Sequence, residues 1–152
     1  MPQKITILVI EDDKDWLEIL CKILHKHLTV KIEDYKSFSA AEERIWQKSE
    51  DIDLLVTDIF PSNVSREKVG ENLAKFVGDA NIPVIIITGD SEYPLTAWKE
   101  LNDPKIFLKH NFSKVAFINT VKSILGNKLK HSMDHNSTDQ PNNLQNDNDF
   151  IG

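Results

Sequence analysis

The sequence lacks most of the devices that hold very small proteins together or take them to special partners. It has a single cysteine, Cys21, so it forms no internal disulfide, and a stapled secreted scaffold is excluded. It has no excess of positive charge: 18 Lys and Arg stand against 24 Asp and Glu, a formal net charge of −6. A phosphate-backbone binder needs a basic face, so nucleic acid is not an expected partner. No apolar run approaches the roughly 20 residues that cross a bilayer. The opening Met1-Pro2-Gln3-Lys4 runs into a strand-like segment with no apolar signal core. Membrane is therefore not an expected partner either, and a cytoplasmic protein is the expectation.

What is present is enough for a core. Hydrophobic residues make up 40% of the 152 and charged residues 28%, which excludes a wholly disordered chain and suits one domain. Composition shifts near Gly126. From Asn127 to Gly152 the chain is rich in Asn, Asp, Gln, Ser and Lys and buries too little to offset its ordering entropy. The expected division is a folded domain over 1–126 and a disordered polar tail over 127–152.

Within the domain two periods alternate. Ile5 to Ile10, Leu54 to Thr57 and Pro83 to Thr88 are continuous apolar, β-branched runs, the pattern of strands covered on both faces. Val30 to Tyr35 alternates and reads as an edge strand, and Lys105 to Leu108 as a short fifth. Helical spacing links Trp16, Ile19, Leu20, Ile23 and Leu24 after the caps Asp13 and Asp15. Ser39 and Glu42 form a capping-box pair for a second helix. Leu73, Phe76 and Val77 mark a third, Leu95, Trp98 and Leu101 a fourth. A fifth runs from the Ser113 cap to a stop at Gly126. Trp16, Trp46 and Trp98 read as packing residues.

This βα alternation predicts an α/β fold: a doubly wound, five-stranded parallel sheet of order 2-1-3-4-5, flavodoxin-like, with helices on both faces. In that order a crevice opens at the carboxyl ends of strands one and three. Glu11, Asp12 and Asp13 follow strand one, Asp58 ends strand three, Thr88 and Gly89 end strand four and Lys109 follows strand five. Clustered carboxylates repel one another, and a divalent cation relieves that. An all-oxygen ligand set suits Mg²⁺. The chemistry this layout supports is phosphoryl transfer to a carboxylate. Asp58 is the nucleophile, Lys109 and the metal neutralise the phosphoryl oxygens, and Thr88 donates a hydrogen bond.

The ordered segments ILVIEDD, LLVTD, PVIIITGD and FLK resemble the receiver domain of bacterial two-component response regulators, over about residues 4 to 126. The resemblance implies that Asp58 is the phospho-acceptor and that Asp12 is a direct Mg²⁺ ligand. Glu11 would act mainly through water, and the Phe60 backbone carbonyl would complete the protein's share of the metal site. Thr88 is the implied switch hydroxyl and Lys109 the phosphoryl-contacting lysine. The implied partners are a histidine kinase or phosphotransfer protein and a downstream protein. The downstream protein would dock on the fourth helix, fifth strand and fifth helix. No periodic output domain follows Gly126, so a single-domain regulator is expected, not an enzyme that turns over a separate substrate. Three departures from the family pattern favour an alternative, a pseudo-receiver that binds partners without phosphorylation. The loop from Phe60 to Val69 is longer than usual, with Pro61 early and Gly70 late. His110 and Asn111 follow Lys109 in place of a proline with a cis bond. Ile106 occupies the position of the usual switch aromatic, with Phe107 expected on the opposite face of the strand.

Overall fold

Residues 4–58, 66–89, 101 and 103–134 are described in the computed structural model. Five strands form one parallel sheet: β1 (Thr6–Ile10), β2 (Lys31–Tyr35), β3 (Leu54–Thr57), β4 (Val84–Thr88) and β5 (Lys105–Leu108). Their order is β2-β1-β3-β4-β5. Among the described residues four helices pack on the sheet: α1 (Lys14–His27), α2 (Phe38–Lys48), α3 (Arg66–Asp79) and α4 (Lys114–Asp134). α4 is the fifth helix expected from the sequence. The expected fourth, around Leu95 and Trp98, lies outside the described residues.

Burial follows the apolar runs. Every residue of β1, β3 and β4 is buried, whereas β2 and β5 hold only exposed and half-buried residues. Side chains alternate along each strand, so the sheet builds two cores. Ile7, Val9, Val56 and Ile87 meet α1 and α4 through Leu20, Leu24, Phe117 and Val121. Leu8, Ile10, Leu55 and Ile86 meet α2 and α3 through Phe38, Ile45, Leu73 and Val77. The winding reverses direction between β2 and β3, and right-handed crossovers then place α2 and α3 on the face opposite α1.

Three local expectations are corrected. α2 is capped by Ser37, whose hydroxyl accepts from the Ala40 N–H at 3.3 Å, and Ser39 lies inside the helix. Phe38 is 4% exposed, and burying that ring requires the helix to start there. Trp46 is 75% exposed and is not a packing residue. The buried stripe of α2 is Phe38, Ala41 and Ile45, and Trp46 lies about 100° around the helix from Ile45. The last helix does not stop at Gly126. No described glycine has a positive φ, so the left-handed cap never forms. A mid-helix glycine costs about 1 kcal/mol. Packing of Leu125 and Leu129 on the core and the Lys128–Asp53 ion pair offset that cost. Residues 135–152 of the expected tail lie outside the described residues.

Candidate functional site at the carboxyl edge of the sheet

The two central acids are set by main-chain bonds that continue the ladder past the strand ends. The Glu11 N–H donates to the Tyr35 carbonyl and the Asp58 N–H to the Ile10 carbonyl, both at 2.9 Å. The Thr57 hydroxyl donates to the Asp58 carbonyl at 2.6 Å, fixing the peptide that carries the acid. Glu11 and Asp58 are buried at 1% and 6% exposure, and Asp12 is exposed. Glu11 Oε2 accepts from the Asp13 N–H at 3.0 Å. Asp13 caps α1, its Oδ1 accepting from the Asp15 and Trp16 N–H groups at 2.9 and 3.2 Å.

Lys109 enters from the other side. It follows β5 in a single 3₁₀ turn, Lys109–Asn111, closed by the Phe112 N–H on the Lys109 carbonyl at 3.4 Å. No described peptide is cis, so the turn is built without that bond. The ammonium points inward. Nζ donates to Asp58 Oδ2 at 3.0 Å and forms an ion pair with Glu11 Oε1 at 2.8 Å. Residues 51 and 98 positions apart in the chain thus meet Lys109 around one small volume. Burial disfavours the charged lysine, but pairing with Glu11 and Asp58 outweighs it and raises the Lys109 pKa.

Glu11 feels the crowding most. Burial and then the Asp58 carboxylate push its carboxyl up to about 7, against the opposing pull of Lys109. Carboxylate oxygens of Glu11, Asp12 and Asp58 lie within 4.8 Å of one another. Three carboxylates faced by one ammonium, in a hard, all-oxygen set, fit Mg²⁺. The Phe60 carbonyl expected to join it lies outside the described residues, as do Pro61 and the rest of that loop up to residue 65.

Thr88 is fully buried at the end of β4, paired in register with Leu108, the residue before the lysine. Among the described residues, a methyl group added at Gly89 would meet the Lys109 side chain in ordinary contact, at 4.0 Å. Ile106 is 43% exposed. Phe107 faces the opposite way, into the core beside α1 and α4, as strand alternation predicts. Trp16, read from sequence only as a packing residue, also faces the site: Lys109 Nζ lies 5.3 Å from its ring centroid. Its place three residues past the Asp13 cap was the available signal.

No family model and no curated protein matches the sequence. Solved structures do match the fold. A response regulator receiver protein from Sinorhizobium medicae superposes with a TM-score of 0.68 at 22% identity, over 83% of this chain and 98% of that one. A response regulator receiver domain from Clostridium thermocellum gives 0.65 at 19%, over 82% and 96%. A CheY-like receiver domain from Methylobacillus flagellatus gives 0.63 at 15%, over 80% and 98%. The chain has the receiver fold. Among the described residues no helix is long and apolar enough to cross a membrane.

Proposed function

We propose that the chain is a phosphorylatable receiver. Asp58 takes a phosphoryl group from a phosphohistidine on a histidine kinase or phosphotransfer protein. A new bond forms between an Asp58 carboxylate oxygen and phosphorus as the P–N bond breaks, and the leaving imidazole nitrogen keeps the electron pair and takes up a proton. Lys109 stands ready to neutralise a phosphoryl oxygen, and Thr88 to donate to another. Glu11, Asp12, Asp58 and the Phe60 carbonyl would hold Mg²⁺. When bound, the ion supplies positive charge to the transferring group. The added charge then biases a two-state surface that a partner protein reads, in the family the fourth helix, fifth strand and fifth helix. In this reading the chain works in the cytoplasm, with the half-buried thiol of Cys21 kept reduced.

The observation that carries the reading is the inward lysine, 3.0 Å from the Asp58 carboxylate and 2.8 Å from Glu11. A lysine has no reason to leave water for a buried acid pair unless the pair needs its charge. Acetyl phosphate with Mg²⁺ adds one phosphoryl group to the wild type, read by intact mass, and none to Asp58→Asn. An unmodified wild type, under conditions that label a control receiver, overturns the proposal. The adaptor reading draws on Ile106, which turns an aliphatic side chain to solvent where the family places an aromatic switch. Mg²⁺ titration followed at the Asp12 amide separates the two, since an adaptor stays silent.

A further inference from the structure

A cluster of aromatic rings lies against the site, and the acid–lysine arrangement does not use it. Trp16 sits in the first turn of α1, half-buried. Its indole meets Phe112 edge-on, with centroids 5.4 Å apart and planes at 90°. Phe112 touches Phe107 at 6.0 Å and Phe117 at 5.4 Å, and those two rings are 5.9 Å apart. Rings from α1, β5, the turn and α4 form one packed unit. Phe117, fully buried, anchors it in the core.

Lys109 needs such support. Its four-carbon stem is flexible, it leaves an edge strand, and the next two residues, His110 and Asn111, are exposed. The ammonium lies 5.3 Å from the Trp16 centroid, inside the roughly 6 Å over which a ring face attracts a cation. We propose that Trp16 is a positioning residue for Lys109: its indole holds the ammonium over the Glu11–Asp58 pair, and Phe112 holds the indole. The proposal rests on the receiver reading of the site. Trp16 acts through Lys109, by fixing where positive charge stands as the O–P bond to Asp58 forms.

The test uses the full chain. Trp16→Leu keeps apolar bulk and removes the ring, and Trp16→Phe keeps a ring. Trp16→Leu slows labelling of Asp58 by acetyl phosphate about fivefold, the loss expected for a cation–π contact of about 1 kcal/mol. Mg²⁺ affinity read at the Asp12 amide stays unchanged, and Trp16→Phe recovers most of the rate. By NMR, the Lys109 methylene protons are shifted upfield by the indole ring current, and they move downfield in Trp16→Leu. A wild-type rate in Trp16→Leu, or a slowing that Trp16→Phe does not rescue, overturns the positioning role. If the wild type takes no phosphoryl group, the receiver reading fails. The ring-current shift then decides the positioning claim by itself, and unshifted Lys109 protons in the wild type end it. Should Trp16→Leu not fold, Phe112→Leu frees the indole and diminishes the same shift, and an unaltered shift there overturns the proposal.

Discussion

The acidic half of the site and the lysine half are built by different means. Glu11 and Asp58 extend β1 and β3, strands buried on both faces, and their N–H groups continue the ladder. Lys109 extends β5, whose residues are exposed or half-buried, and its ammonium is flanked by side chains: two carboxylates and an indole. Backbone bonding sets the acids, and side-chain packing sets the lysine. A site divided this way tolerates change on the solvent-facing side of the edge strand far better than in the centre of the sheet.

The sharpest way to break that contrast is to weaken the central strands. Leu55 is fully buried among Leu8, Ile86 and the helices α2 and α3. Leu55→Ala removes buried atoms and leaves a cavity that neighbouring strands cannot collapse to fill. The expected loss is about 3 kcal/mol of unfolding free energy, measured by urea denaturation. A loss no greater than that from an edge-strand change would show that β3 does not carry the acid half.

The same division explains what the sequence made legible. β1, β3 and β4 stand out as unbroken apolar runs because both faces are covered, and their final residues then point to Glu11, Asp58 and Thr88 without further information. Lys109 is legible only through the strand before it. The role of Trp16 was hidden, because an aromatic at helical spacing reads as core wherever its face points. Ser37 and Ser39 are both good caps by local chemistry, and only the tertiary burial of Phe38 chooses between them. Gly126 carries a real stop signal, overridden by contacts of Leu129 and Lys128 that involve residues far along the chain.

A smaller effect tests the electrostatics of the acid half. Glu11 is held near 7 in the fold, against about 4.3 in an unfolded chain. The native state therefore binds more protons across that window. The contribution of Glu11 to stability is fully present below about pH 4 and is lost as pH rises through about 7. Glu11→Gln removes this dependence. In EDTA, the stability of Glu11→Gln relative to wild type rises by about 2 kcal/mol from pH 5 to pH 8. Added Mg²⁺ shrinks that difference, because a cation stabilises the ionised wild-type cluster. A difference flat with pH would mean that Lys109 alone already neutralises the pair.

The smallest effect is expected on the outer face of β5. Ile106 points away from the aromatic unit and is 43% exposed, and β5 pairs only with β4 in the described sheet. Threonine suits a strand as well as isoleucine does and has little burial to lose there, so Ile106→Thr should change unfolding free energy by less than about 0.5 kcal/mol. Its neighbour Phe107 reaches the core beside α1 and α4, so adjacent residues of one strand should answer very differently to truncation. If Ile106→Thr costs as much as a core change, something covers the outer face of β5. The lysine half would then be anchored from both sides of the sheet rather than by the aromatic rings alone.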